Sequence, residues 1–389
     1  YQVNLPGELT SVVVNKPSDE NEIRTRSFHW STPEPVAPLF HLVAGRWDVQ
    51  RGKHGEVWHD PAHLDGATRA LEALEAAVPA FTSWFGKLPY DTIRVNEFPY
   101  YTDYSQSADQ NIVVNEFVFR LRETEEYDLA YSTTAHEIAH LWWGVGLVPA
   151  EGPGGNVISE GLAEYSTIRL LQHDRGDEAR KAYLMAQELI YLDERNPSAE
   201  WPMNEIDQDR ESSLVVTYQR AGWMFWMAAQ ILGIERHDAE LRAMAEHYNS
   251  TRFPPVLDDY IRWMSANAGD EETAFYDFAD MWMRDSCVNE FMISVVECRP
   301  NQSEGDDWKT TLKINLGHRI CTPSFPITVA IFGDEQEAEG PKTRAVIPGY
   351  SDWPVTLVID SAFKPDHVVV DPDVMVLQKN REFATKPLP

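Results

Sequence analysis

Two histidines and a glutamate stand together in the run His136-Glu137-Ile138-Ala139-His140. On a helix, residues four apart share one face about one turn apart, so both imidazoles can bind a single metal ion. Glu137, beside the first ligand, can act as general base toward a water at that metal. The apolar run Leu141-Trp142-Trp143 follows directly. It argues against the simpler interpretation, a solvated helix face with two satisfied histidines.

A catalytic zinc site needs a third protein ligand and keeps its fourth position open. We predict that Glu160 is this ligand, because it precedes a helical run and a carboxylate completes a His-His-Glu set with His136 and His140. Glu164 follows four residues later and would share the face of Glu160. We expect it to accept the ring N–H of a zinc-bound histidine; the alternative is an ordinary exposed glutamate. The predicted cofactor is therefore Zn²⁺.

These runs carry a resemblance to a known family. Residues 136–144 (HEIAHLWWG) and 158–165 (ISEGLAEY) resemble the zinc core of the aminopeptidase N family of gluzincin metallopeptidases. Residues 148–150 (VPA) and 159–166 resemble more closely a bacterial branch, in which the peptidase is fused to or associated with ABC-type permease segments. The spacing from His140 to the glutamate ligand is one residue longer than in most of the family, and a glycine-rich loop can absorb that residue.

The resemblance assigns a second catalytic group. Family members have a tyrosine whose hydroxyl stabilises the oxyanion of the tetrahedral intermediate, and Tyr218 stands 58 residues after Glu160, a matching distance. Arg220 and Ala221 stand where the family has lysine and glycine, and the role of Arg220 stays open. The alternative for Tyr218 is a core tyrosine with a bonded hydroxyl.

The resemblance also implies a substrate-binding segment. Residues 107–111 (SADQN) correspond to a family motif on an edge strand, Gly-Ala-Met-Glu-Asn, whose glutamate binds the free α-amine of the substrate. Gln110 stands at that position, and an amide does not pair with an ammonium through charge. Glu116 resembles a glutamate of the bacterial branch and is the candidate substitute; otherwise it is a strand residue facing solvent. Aminopeptidase and endopeptidase activity both stay open.

Composition narrows the possible partners and location. The 389-residue chain carries a net charge of −29, which disfavours nucleic acid and anionic membranes as partners. It contains no apolar run of membrane-spanning length. Because it begins at Tyr1, we interpret it as a fragment. The resemblance to the bacterial branch implies that this fragment is the extracytoplasmic domain of a protein whose membrane segments lie elsewhere. Cys298 and Cys321 are expected either to pair or to remain buried thiols.

Hydrophobic periodicity predicts an α+β fold, with strands and loops in residues 1–59, a largely helical part in residues 60–286 and an immunoglobulin-like β-sandwich in residues 287–389. The family resemblance implies that residues 1–59 are a β-rich remnant of an N-terminal domain and that residues 60–286 form a thermolysin-like zinc peptidase catalytic domain with a helical part. Helices are predicted at 61–86, 125–145, 159–174, 177–196, 212–233 and within 234–286. Strands are predicted at 12–14, 39–43, 92–98 and, five to seven of them, after residue 288. Pro79 is expected to kink the first helix or to cap its second half.

We therefore expect a zinc-dependent metallopeptidase that hydrolyses peptide substrates in an aminopeptidase-like manner, with endopeptidase activity not excluded, Glu137 as general base and Tyr218 at the oxyanion. A catalytically weak, zinc-bound peptide-binding or scaffold domain of a membrane transport assembly is the alternative, and Gln110 supports it. A different zinc hydrolase of the same family, such as an epoxide hydrolase, is disfavoured because nothing in the sequence indicates a lipid channel.

Overall fold

The structure, a computed structural model, describes residues 2–16, 24–32, 40–89, 91–99, 104–121, 128–301, 307–317, 322–333 and 342–389. Helices and strands are both abundant, in agreement with the predicted mixed class. The chain divides into two compact units, residues 1–148 with 162–180 and residues 149–161 with 181–389. Among the helices of the described ranges, none is both long enough and apolar enough to cross a bilayer.

Two small antiparallel pairs begin the first unit. Strand β1 (Gln2–Asn4) pairs with β4 (Val43–Gly45), and β2 (Glu8–Asn15) pairs with β3 (Thr25–Ser31). The predicted strand at residues 12–14 is confirmed within β2. The strand predicted at 39–43 is wrong for residues 40–42, which have no strand conformation. Their apolar side chains are partly exposed, so hydrophobicity there does not reflect sheet burial.

A five-stranded mixed sheet in the order β5-β6-β7-β9-β8 forms the centre of the first unit. Strand β5 (Asp48–Arg51) is antiparallel to β6 (Gly55–His59). Strands β6, β7 (Ile93–Phe98) and β9 (Asn111–Asn115) run parallel, and β8 (Gln106–Ala108) lies antiparallel to β9 at the edge. The predicted strand at 92–98 and the predicted edge strand are thus both present. The sheet includes strands from both sides of residue 59, where we expected a domain boundary.

Four helices accompany this sheet: α1 (Leu64–Phe85), α2 (Glu116–Arg120), α3 (Leu129–Ala139) and α4 (Leu162–Arg175). Helix α1 connects the parallel strands β6 and β7, as a parallel pair requires. Pro79 lies inside α1 and does not end it. Glu116 begins a helix, so its predicted place on a strand is wrong; the Asn115 side chain accepts the Phe117 N–H and caps that helix.

Helices α1, α3 and α4 are joined at one buried carboxylate, that of Asp128. Its side chain, 4% exposed, accepts the Tyr131 N–H at 3.0 Å and so caps the N-terminus of α3. It also accepts 2.9 Å hydrogen bonds from Arg69 on α1 and Arg175 on α4. Because one anion contacts all three helices, it fixes α3, which carries both histidines, relative to α4.

The second unit contains the remaining helices and all the later strands. Helix α5 (Asp177–Glu194) spans the boundary at residue 180, and the others follow in chain order. They are α6 (Ser213–Val215), α7 (Ala221–Leu232), α8 (Ile234–Thr251), α9 (Leu257–Asn267) and α10 (Glu272–Trp282). Helix α7 is apolar on every face and is almost wholly buried, which is the expected place for such a helix.

Seven strands follow helix α10 in the described ranges, as the period-two pattern predicts. They are β10 (Phe291–Pro300), β11 (Trp308–Leu316), β12 (Ile327–Phe332), β13 (Lys342–Ile347), β14 (Val355–Ser361), β15 (His367–Val370) and β16 (Thr385–Pro387). They form two antiparallel sheets, in the orders β10-β11-β14 and β13-β12-β15-β16.

Of the two alternatives for Cys298, a disulfide with Cys321 or a buried free thiol, the disulfide is wrong, and the thiol is free but only half-buried. Cys298 lies on β10 as a free thiol, and its sulfur is 3.6 Å from the Thr310 hydroxyl of the neighbouring strand β11. The cysteine in a disulfide is instead Cys287, which precedes the strands. Cys321 itself lies outside the described residues.

We predict that Asp128→Asn lowers the free energy of unfolding by about 3 kcal/mol, because it leaves the Arg69 guanidinium, 7% exposed, without its buried anion. Urea denaturation followed by circular dichroism measures the change. The matched control is Asp65→Asn, since Asp65 contacts the same Arg69 but is 80% exposed and should contribute little. Equal losses in the two variants would contradict the structural role of Asp128.

Candidate metal centre and active site

Three predicted ligands come together in the structure. The ligand atoms of His136, His140 and Glu160 all lie within 4.8 Å of one another. The two Nε2 atoms of the histidines are 3.1 Å apart. Two nitrogens bound tetrahedrally to one zinc ion at about 2.05 Å would stand roughly 3.3 Å apart. The spacing of the imidazole nitrogens therefore fits a shared metal ion.

The opposite ring nitrogens contact oxygen acceptors. Nδ1 of His136 lies 3.1 Å from Oε1 of Glu164, and Nδ1 of His140 is 2.9 Å from the carbonyl oxygen of Trp143. Such contacts favour a proton on Nδ1, which leaves the Nε2 lone pair for a metal. Two neutral imidazoles and a carboxylate form a donor set suited to zinc. Glu164 thus lies where a supporting carboxylate was expected.

The chain reverses direction directly after the second histidine. Helix α3 ends at Ala139, and His140 is its C-cap residue. The His140 carbonyl accepts the Val145 N–H at 3.0 Å, which brings Trp143 back toward the ring of His140. The Trp143 indole donates a 3.0 Å hydrogen bond to the hydroxyl of Ser166 on α4. The aromatic run after the motif is therefore part of the support of the histidines.

Glu137 is a buried carboxylate held by a residue that we did not predict. The hydroxyl of Ser107, on the edge strand β8, is 3.0 Å from Oε2 of Glu137 and also contacts the Glu137 backbone carbonyl. Ser107 thus ties the sheet edge to the predicted general base. The sequence placed Ser107 in the substrate-binding segment, but nothing in the segment indicated which of its side chains reaches α3.

Glu160 is positioned by an unusual helical turn. Residues Val157–Gly161 form a π-helical turn that runs directly into α4. A Cβ added to Gly161 would stand 2.6 Å from side-chain atoms of both Ala221 and Phe225. Only glycine permits this close approach to α7, so the turn that carries Glu160 has a defined position on that helix. Single π-turns inside α-helices are frequent at functional sites.

Tyr218 lies on a second π-helical turn, Val216–Arg220, which contacts the turn carrying Glu160. The role of Arg220, left open by the sequence, is structural. Its fully buried guanidinium donates to the Tyr191 hydroxyl at 2.6 Å and to the Trp282 carbonyl at 2.7 Å, and lies 3.4 Å from Glu200. These bonds anchor the turn from its buried side.

The two candidate substrate-binding residues, Gln110 and Glu116, each contact another residue of the first unit. Gln110 follows β8 in a tight turn, and its side-chain amide donates a long 3.5 Å hydrogen bond to the carbonyl of Gly7. Glu116 lies 3.3 Å from Arg120 one turn along α2. The Gln110 amide and the Glu116 carboxylate therefore each have a partner that the sequence did not indicate.

Comparison with known proteins supports the fold. No protein-family model and no curated protein matches the chain. Among solved structures, the chain resembles Legionella pneumophila aminopeptidase A, crystallised in complex with aspartic acid, with a TM-score of 0.58 at 15% sequence identity. The match covers 97% of this chain and 42% of that one. This chain therefore spans less than half the length of that aminopeptidase and shares the fold of the part it matches.

We predict that Glu164→Gln weakens zinc binding by roughly tenfold, because the neutral amide no longer stabilises the proton on Nδ1 of His136. Competition with a chromophoric zinc chelator measures the affinity without any activity assay. The control is Glu235→Gln, an exposed glutamate at the start of α8. Unchanged affinity in both variants would show that Glu164 does not support the histidine.

Proposed function

We propose that this chain is a zinc-dependent metallopeptidase that hydrolyses peptide bonds. The observation that supports this most is the pair of histidine Nε2 atoms 3.1 Å apart, with the buried carboxylate of Glu137 between the two residues in sequence. The fold shared with an aminopeptidase agrees with it. The donor set His136, His140 and Glu160 would hold Zn²⁺.

The finer classification is part of the proposal. We assign the chain to the aminopeptidase N family of gluzincins, in the bacterial branch associated with permease segments. Residues 60–286 would be its thermolysin-like catalytic domain, residues 287–389 an immunoglobulin-like sandwich, and residues 1–59 the end of an N-terminal β domain. In that branch the peptidase lies outside the cytoplasm, on a protein with membrane segments elsewhere.

The residues of the site then have distinct roles. A zinc ion held there would supply a Lewis acid that polarises the scissile carbonyl and makes water more acidic. Glu137 takes a proton from the attacking water and delivers it to the leaving amine. Ser107 holds the Glu137 carboxylate in one orientation, since its hydroxyl contacts Oε2. Tyr218 donates a hydrogen bond to the developing oxyanion.

Strand β8 provides a place for an extended peptide. It is at the edge of the sheet, and Ser107 within it contacts the general base. A peptide that adds to such an edge pairs its backbone with the strand. Its scissile bond would then run past Glu137. Binding of this kind recognises main chain and does not itself require a free α-amine.

We predict that Glu137→Gln retains zinc and loses peptide hydrolysis by at least about a hundredfold, since a positioned base contributes roughly 10² to 10⁴ in rate. Zinc content by atomic absorption and kcat/KM on one peptide are measured on the same preparation. Loss of zinc together with activity would instead make Glu137 a structural residue of the site. Retained activity would remove it from catalysis altogether.

The class of peptidase is tested with a short peptide library prepared as free-amine and N-acetylated pairs. Because Gln110 is neutral, we expect the zinc-loaded protein to cleave both members of a pair, with rates within about tenfold of each other. Protein treated with chelator is the control. Cleavage confined to free-amine peptides would show that another group, such as Glu116, binds the amine. Absence of chelator-sensitive cleavage in every pair would contradict the proposed function.

A further inference from the structure

A cavity of about 290 Å³ in the second unit opens to solvent, since Glu151 and Asn156 in its lining are exposed. Its lining includes Glu151, Asn156, Ile206, Asp207, Gln208 and Thr217. Two of these side chains are carboxylates, two are amides and one is a hydroxyl, while none is basic. A cavity with this lining offers acceptor oxygens and a net negative charge, which suits a cationic guest.

The hydroxyl of Thr217 indicates that the cavity binds a ligand. Thr217 is only 7% exposed and lines the cavity, and within the described residues its hydroxyl makes no hydrogen bond to another side chain or to the backbone. Since Thr217 lines the cavity, its hydroxyl is free to hydrogen-bond to a molecule inside it. A hydrogen-bonding ligand in the cavity would provide a partner for this hydroxyl.

The walls of the cavity are fixed by backbone hydrogen bonds. Before Glu151, the Ala150 N–H donates to the Pro255 carbonyl oxygen at 3.0 Å. After it, the Gly154 N–H donates to the Ile206 carbonyl oxygen at 2.9 Å. A Cβ on Gly155 would stand 1.9 Å from the Ala150 carbonyl oxygen, so this loop closes as tightly as a glycine allows. The Asp207 carboxylate accepts the following N–H at 2.7 Å, which orients it.

Both sides of the cavity continue into turns with proposed catalytic roles. Asn156 precedes Glu160 by four residues on one helical stretch, about 6 Å along the axis. Thr217 is next to Tyr218 in the second π-helical turn, and the two turns contact each other. A group in the cavity would therefore lie about one helical turn from a proposed metal ligand.

We infer that this cavity is a specificity pocket for a basic side chain, that of arginine or lysine, next to the scissile bond of the peptide substrate. The assignment rests on the proposed function and adds its substrate class. A cavity near 300 Å³ is at the lower end of ligand sites, large enough for one extended side chain and larger than an α-ammonium needs. Glu151 and Asp207 would pair with the cationic end, and Thr217 and Asn156 would accept its remaining N–H groups.

Binding is measured apart from turnover. The probes are N-acetyl-arginine amide and N-acetyl-citrulline amide, which have the same shape but differ in charge, titrated by calorimetry into full-length Glu137→Gln protein. We expect the arginine probe to bind at least about tenfold tighter, and Asp207→Asn to remove most of that difference. The control is Asp209→Asn, which removes an exposed charge two residues away, outside the cavity lining.

Equal binding of the two probes, or an equal loss of arginine preference in both aspartate variants, would overturn the assignment of the cavity as a pocket for a basic side chain. A third probe, norleucine amide with its free α-amine, tests the rival source of a cation. If it competes with the arginine probe and is itself lost in Asp207→Asn, the cavity binds substrate N-termini and the side-chain assignment is wrong.

Measurements of peptide cleavage distinguish the proposed peptidase activity from the proposed specificity pocket. Matched peptides with arginine or citrulline next to the cleaved bond are given to the wild-type zinc-loaded protein, and a preference for arginine of about tenfold or more in kcat/KM is expected. Cleavage without preference, together with equal probe binding, would overturn the pocket and leave the peptidase. No cleavage, with the arginine probe still bound, would overturn the peptidase and leave a cation site.

Discussion

The candidate metal centre depends on the register of α3 against α4. His136 lies on α3 and His140 caps its C-terminal end, whereas Glu164 lies on α4 and Glu160 on the turn that runs into it. A slide of one residue, about 1.5 Å, between the two helices would separate these groups. Two polar contacts oppose such a slide: Asp128 with Arg175 at one end and Trp143 with Ser166 at the other. Both are side-chain contacts between residues far apart in sequence, so the site is a property of tertiary structure.

A second buried charge has the same role for the turn with Tyr218. Arg220 is completely buried, and its hydrogen bonds to the carbonyls of Trp282 and Asp285 connect this turn with the end of α10 and the residues after it. Tyr191 lies between Arg220 and Glu200, and burial raises its pKa to about 12, so its hydroxyl stays protonated and able to donate. A buried guanidinium needs hydrogen-bond partners of this kind. In contacting Arg220, these partners also hold this turn, which carries Tyr218, in place.

The sequence predicts those parts of the site that depend on local spacing. The i, i+4 histidines, the glutamate of the following helix and the period-two strands all follow from chemistry within a few residues. The helix beginning at Glu116 was missed because the apolar strand residues before it continue the strand pattern, and only the Asn115 cap marks the change. Ser107 was missed for another reason. Its partner Glu137 is thirty residues away, and a strand pattern does not show which side chain faces a helix.

The same distinction explains why the proposed reaction type is easier to infer from the sequence of this chain than the proposed substrate preference. Metal ligands and a general base must be close together, and one helix can supply three of them at fixed spacing. A pocket instead combines loops that are distant in sequence. Here Glu151, Asp207 and Thr217 come from three separate segments, each held by backbone hydrogen bonds or a helical turn. No single segment has a pattern for binding a cation, and the negative charge of the cavity exists only after folding brings the segments together.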